Sequence, residues 1–238
     1  MHTRQALKPE TMREIRKWII QSAFGIVAYG LVLFLLAGRL DWVWGWIILT
    51  ITAVFLAAHP IILIPINPEL LAERESGFRQ ENVKAWDRYL GPAAAGMGIL
   101  VWVVAGLDIR FQWTGSFPLP LHLAGLVAHV AGYGLFLWAM ASNTFFAEAV
   151  RIQDKRDHQV AAGGPYRVVR HPGYAGAILS ILASPFLLGS WWGGVPALIG
   201  LFLYCLRTSL EDKVLLKELP GYADYAARIR FRLIPGVW

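Results

Sequence analysis

The feature that most constrains this chain is the length of its apolar blocks. A helix needs about 20 apolar residues to cross the hydrocarbon layer of a bilayer. Trp18–Gly38, Trp42–Ile66, Leu90–Leu107 and Leu121–Ala141 come close to that length or exceed it. After a polar stretch come Pro172–Leu188 and Gly194–Leu206, joined by Gly189-Ser190-Trp191-Trp192-Gly193. That linker combines turn residues with an interfacial aromatic pair and predicts a helical hairpin. Its second arm is short, and Arg207-Thr208 could extend it. Lipid offers no hydrogen bonds to the backbone, so blocks of this kind fold as helices. The first block is longer than a signal-peptide core and is not followed by a convincing cleavage site, so it reads as a retained transmembrane helix.

Composition agrees with this reading. The chain is 56% hydrophobic and 16% charged, against about 25% charged residues in ordinary soluble domains. The net charge of +6 need not mean a nucleic-acid partner, because the basic residues lie between apolar blocks and no nucleic-acid-binding motif is present. Their distribution predicts orientation. Twenty of the 22 Lys and Arg fall in the segments before the first block, at 67–89, at 142–170 and from Arg207 onward, leaving Arg39 and Arg110 on the other side. By the positive-inside rule both termini and both long polar loops face the cytosol. Trp42, Trp44, Trp46, Trp113, Trp191 and Trp192 then mark the outer interface. The lone Cys205 excludes a disulfide framework and a cysteine metal site. His122 and His129, two helical turns apart, are too far separated to hold one metal ion, so no metal is expected. Gly91, Gly96 and Gly98 read as sites of close helix packing.

The polar stretch from Asn143 to Gly176 carries the residues suited to chemistry. It holds Gln153, His158 and Gly163-Gly164-Pro165-Tyr166, then Arg170-His171-Pro172-Gly173-Tyr174. Pro172 suits the first position of a helix. His171 would then cap a membrane helix whose positive dipole end offers a seat for an anion. The plain alternative is a turn in a basic interfacial loop. A second cluster, Arg207 and Glu211 followed by Asp212, lies at the inner end of the last apolar block. Arg207 and Glu211 are four residues apart and share a face, either as an intrahelical ion pair or as functional groups at a membrane boundary.

In combination, Asn143, Gln153, His158, Gly164-Pro165-Tyr166, Arg170-His171-Pro172-Gly173-Tyr174-Ala175-Gly176, Arg207, Glu211-Asp212, Gly221-Tyr222, Tyr225, Arg228 and Leu233-Ile234-Pro235-Gly236-Val237 resemble the isoprenylcysteine carboxyl methyltransferase family and its phospholipid methyltransferase relatives. The resemblance covers about the C-terminal 100 residues. In the N-terminal half, Asn67-Pro68-Glu69-Leu70-Leu71-Ala72-Glu73-Arg74 looks like a segment of bacterial members. Where the family often has a Glu-Glu pair, this chain has Glu211-Asp212.

The resemblance implies an S-adenosyl-L-methionine cofactor surrounded by Gln153, His158, Gln159, Val160, Ala161, Tyr166, His171, Pro172, Gly173, Tyr174 and Glu211, with Arg207 facing the methyl acceptor. Arg207 and Glu211 are the candidate catalytic pair. The guanidinium of Arg207 could hold an acceptor carboxylate by two parallel hydrogen bonds. An amine or hydroxyl acceptor would instead need a base, for which Glu211 or His158 is suited. The expected architecture is an all-α integral membrane protein with five to six transmembrane helices, a C-terminal helical hairpin and a cytosolic cofactor-binding cap. Residues 1–141 would supply the N-terminal transmembrane helices and 142–238 the catalytic region, within one structural unit. The expected partners are membrane lipids and a lipophilic or lipidated acceptor, and the expected location is a bacterial inner membrane. The competing readings are an NADPH-dependent membrane reductase of the sterol type, which also has a Tyr-rich C-terminal region ending in Ile-Pro-Gly, and a lipid transporter or scaffold. The second is weakened because Trp18–Gly38 and Leu121–Ala141 contain no Asp, Glu, Lys or Arg.

Overall fold

A computed structural model of the chain describes residues 9–66, 68, 70, 77 and 82–238. Among them are seven α-helices and no strand. They are α1 (Pro9–Ala37), α2 (Val43–Ile66), α3 (Asp87–Phe111), α4 (Leu119–Ala141), α5 (Pro172–Leu188), α6 (Gly194–Glu218) and α7 (Tyr222–Arg228). Two short 3₁₀ turns, Asp154–Arg156 and Gly164–Arg167, lie in the loop between α4 and α5. Five helices, α1 to α4 and α6, are long and apolar enough to cross a membrane. With 17 residues, α5 is about 25 Å long at 1.5 Å per residue, slightly less than the hydrocarbon thickness. Most of the bacterial-type segment beginning at Asn67 lies outside the described residues.

The bundle turns its apolar side chains outward. Phe24, Leu35, Val54, Ile61, Val127 and Phe202 are all exposed, as a surface solvated by lipid tails allows. The polar groups point inward, with Thr52, His59, His129, Ser180 and Ser184 buried. Each bonds a backbone carbonyl. Thr52 Oγ1 donates to Ile48 O at 2.9 Å, and His129 Nδ1 lies 3.0 Å from Ser180 O. In a medium without water these inward bonds are the alternative to an unsatisfied group.

Close packing is concentrated between α4 and α5 and depends on glycine. A Cβ on Gly176 would lie 2.6 Å from Gly132 O and 2.8 Å from Phe136 N, so the two backbones approach too closely for any side chain. The expectation that Gly96 and Gly98 serve this purpose is not met, since a Cβ at either meets nothing within 4 Å. Periodicity marks small residues but not the helix face that receives a neighbour. Gly176→Val should therefore destabilise the detergent-solubilised protein by about 3 kcal/mol or more, because the clash is with backbone that cannot rotate away. Gly96→Val should leave the thermal unfolding midpoint unchanged.

One boundary differs from expectation. The last long helix does not end near Leu206 but runs to Glu218. Arg207, Glu211 and Asp212 thus ride on one continuous element emerging from the membrane core. Beyond it the chain breaks at Pro220-Gly221, and α7 starts after Gly221 at φ 77°.

Candidate active site at the inner end of the bundle

The geometry of the site starts at the entrance to α5. Pro172 begins the helix and His171 is its N-cap residue, as the sequence suggests, but the His171 side chain makes no capping bond. Its ring turns instead toward α6, with Nε2 3.2 Å from Asp212 Oδ1. The preceding Arg170 reaches the same carboxylate through both Nε and Nη2, each at 2.8 Å. Tyr222 on α7 donates to it at 2.8 Å, and Arg232 Nε adds a further bond at 2.9 Å. Asp212 is completely buried and joins the loop, α6, α7 and the C-terminal segment. The backbone completes the closure, as Arg170 N and His171 N donate to Phe231 O and Arg232 O, both at 2.9 Å.

Beside this knot lies a cleft of about 810 Å3, part of it open to solvent. Its walls come from the 143–171 loop, the first turn of α5, the emergent end of α6, and α7. Of the residues expected around a cofactor, His158, Gln159, Val160, Ala161, Tyr166, His171, Gly173, Tyr174 and Glu211 line it. Gln153 and Pro172 do not. Gln153 is buried behind the wall, donating to Phe145 O at 2.8 Å and accepting from Arg156 at 2.9 Å, so it braces the loop. Gly173 is required by close approach, because a Cβ there would sit 2.7 Å from the Phe146 ring, another wall residue.

The cleft presents aromatic faces, phenols and one carboxylate. Tyr166 is held from both ends: its hydroxyl accepts from Asn143 Nδ2 at 3.2 Å, and its carbonyl accepts from Tyr225 at 2.8 Å. Burial pushes the Tyr225 phenol up to about 12, so it remains a donor across the physiological range. Tyr174 donates a short hydrogen bond to Glu211, and its ring stacks near His171 at 5.8 Å between centroids.

His158 accepts from Gln153 N at Nδ1, at 3.4 Å, which leaves the ring proton on Nε2. Burial, aided by the nearby charge of Arg151 and opposed by Asp154, pulls its pKa down from 6.5 to about 4. A neutral imidazole of that kind is a weak base at neutral pH, so the geometry favours His158 as a donor toward the cleft rather than as a proton acceptor. The folded value lies below the unfolded one, so the stability contributed by neutral His158 is complete above pH 6.5 and is lost as pH falls toward 4. In NMR, the His158 ring should show its titration near pH 4, and a midpoint at the ordinary 6.5 would contradict the buried neutral geometry.

Arg207 differs from expectation. Its two-pronged edge clasps a protein carboxylate, with Nε and Nη2 at 2.7 and 2.9 Å from the two oxygens of Asp87, and Nη2 also reaches Glu148 O. The clamp expected for an acceptor carboxylate is therefore engaged by the first residue of α3. Asp87 in turn accepts from Val150 N at 2.7 Å, linking α3, the loop and α6. The guanidinium also stands 5.2 Å from the centre of the Tyr174 ring, so it faces the cleft through that ring. Asp87 escaped the sequence reading. The available signal was a lone acid opening an apolar helix, which has to find a cation if it is buried.

His122 and His129 each bond a carbonyl of α5, Leu187 O at 2.8 Å and Ser180 O at 3.0 Å, rather than converging on a common point. Among the described residues no cluster of metal-ligating side chains occurs.

Most of the segment that builds the cleft also matches a family model. Residues 121–220 match the phospholipid methyltransferase family model. This part of the chain is similar to phospholipid methyltransferases. The match runs from α4 through the loop and α5 to the end of α6, and so takes in the cleft-lining His158, Tyr166, Tyr174 and Glu211. The similarity covers 100 of the 238 residues. No curated protein matches the chain.

Proposed function

We propose that the chain transfers the methyl group of S-adenosylmethionine to a lipophilic acceptor dissolved in the bilayer, with the donor bound in the cleft between the 143–171 loop, α6 and α7. The observation that carries this reading is the convergence of nine resemblance-implied residues on one cleft at the mouth of a membrane bundle. The donor combines an aromatic base, a ribose, a sulfonium cation and an amino-acid end. Aromatic faces at Tyr166 and Tyr174, the Glu211 carboxylate and the start of α5 offer complementary groups. Tyr174, bonded to Glu211 and lying against Arg207, stands on the bundle side of the cleft, where an acceptor from the bilayer would meet the donor.

In the transfer itself, an acceptor lone pair forms the new bond to the methyl carbon while the carbon–sulfur pair withdraws onto sulfur. A carboxylate acceptor needs no proton transfer, and Glu211 is the base for an acceptor that does. Holding the two partners in line and away from water supplies roughly 7–11 kcal/mol of the barrier. The Asp87-bound Arg207 contributes through its charge and its hold on Tyr174. The N-terminal helices and the 142–238 region act as one unit, because Asp87 of α3 is bonded to both α6 and the loop.

A mass-spectrometric comparison of membranes with and without the protein should reveal a lipid-soluble species heavier by one methyl, labelled when the donor's methyl is labelled. NADPH should produce no reduced counterpart. We place the cleft in the cytosol, on the charge asymmetry of the loops. A cysteine at Lys213 should then react with impermeant maleimide only in inverted vesicles, and one at Trp113 only in intact cells. Labelling of position 213 from outside would overturn the orientation.

A further inference from the structure

Behind the cleft, within the bundle, lies a second cavity of about 850 Å3, counting the space at its open side. Residues of α1 to α6 line it, and the part contributed by Gly98 and the exposed Ile99 faces the lipid side of α3. Tyr204 belongs to its wall, and the Tyr204 ring lies 5.9 Å from that of Tyr174, a wall residue of the cleft. A tyrosine pair thus separates the two compartments.

The inner cavity is unusual for mid-membrane space in carrying a polar stripe, with Thr52, His129, Tyr133, Ser180 and Ser184 in its lining. Thr52 and Ser184 donate to helix carbonyls and ask nothing of a ligand. His129 is different. It is 2% exposed, and its Nδ1 lies 3.0 Å from Ser180 O, a group that can only accept. The proton of the neutral ring is therefore on Nδ1, and Nε2 carries a bare lone pair. Among the described residues that nitrogen has no hydrogen-bond partner. A buried acceptor without a donor is costly, and an ionisable group inside a membrane bundle marks a pathway or binding site by default.

We propose that the inner cavity holds the apolar body of the methyl acceptor, and that His129 Nε2 selects acceptors carrying a hydrogen-bond donor, a hydroxyl above all, within that body. The inference rests on the methyl-transfer reading for the identity of the occupant, but its selectivity is separable from donor binding. The geometry also fixes where the hydroxyl belongs. Ser180, which His129 contacts, lies six residues beyond Tyr174 along α5, a rise of about 9 Å. The hydroxyl therefore sits mid-chain, well away from the reacting head group. A bare hydrocarbon chain would fill the same volume and leave Nε2 unpaired.

The test uses stearic acid and the isomeric mid-chain hydroxystearic acids as probes, binding to the detergent-solubilised protein without methyl donor and read by native mass spectrometry. A mid-chain hydroxyl should tighten binding by about tenfold relative to stearic acid, as for sites that lose an analogue lacking the paired group. A hydroxyl next to the carboxyl or at the chain terminus should not. His129→Leu should abolish the preference while stearic acid still binds, and His129→Gln, which keeps an acceptor near the Nε2 position, should restore part of it. Equal binding of all isomers by the unmodified protein would overturn the inference without reference to any variant. So would a preference that survives His129→Leu. Neither result bears on whether the cleft binds S-adenosylmethionine.

Discussion

Asp212→Ala should unfold the cap that α7 and the C-terminal segment form over the cleft. Its carboxylate holds Arg170 through two hydrogen bonds and also holds Arg232, Tyr222 and His171, while being fully buried itself. Removing it leaves the buried Arg170 guanidinium without a counter-charge, the situation in which breaking a buried pair costs about 3–5 kcal/mol. Hydrogen exchange should show the 222–238 segment losing protection while α1 to α4 keep theirs. Asp212→Glu retains the charge on a stem one methylene longer, and should lose less. If the alanine variant kept full protection in the tail, the knot would not be what closes the site. Asp212 stands where the resembling family often has the second Glu of a pair, and here it has a mechanical role.

The second large effect concerns Asp87 and Arg207. Both are buried and joined by two hydrogen bonds of 2.7 and 2.9 Å, so Asp87→Ala and Arg207→Ala should each destabilise the protein by about 3–5 kcal/mol. Because each removes the same interaction, the double variant should cost much less than the sum, with a coupling energy of a few kcal/mol. Arg207→Lys keeps the charge but not the planar fork, and should fall between. A free acceptor clamp predicts a different pattern: Arg207→Ala would lose turnover at nearly unchanged stability, and Asp87→Ala would do little. Strictly additive effects in the cycle would favour that pattern.

The bundle was legible in the sequence because length and composition are enough to identify a membrane helix, and lipid permits few alternatives. The starts of α5 and α6, at Pro172 and Gly194, fell where proline and glycine punctuation placed them. The end of α6 did not. After Leu206 the chain becomes charged, and a hydropathy argument stops where the bilayer stops, whereas the helix continues on its own hydrogen bonds to Glu218.

In the site, residue types and order pointed to the cleft, but partner choice was invisible. Arg207 lies 120 positions from Asp87, and Asp212 lies 42 from Arg170. Charges that are distant in sequence, with many possible partners, cannot be paired from spacing alone. Gln153 illustrates the same limit at short range, since a residue in the right segment turned out to brace the wall rather than line the cleft. Gly96 and Gly98 of α3 read as packing sites, yet a Cβ at either meets nothing, because small size shows where a helix can be approached and not where it is.

On the proposed function the cleft holds S-adenosylmethionine. Equilibrium binding of the radiolabelled donor to purified protein in lipid nanodiscs tests it most directly, with Glu211→Ala and Tyr174→Ala beside the unmodified chain. We expect saturable binding of one donor per chain, displaced by S-adenosylhomocysteine and unaffected by NADPH. Both variants should weaken it while remaining monodisperse. Absence of saturable binding to the folded, unmodified protein, or undiminished affinity in both variants, would contradict the account.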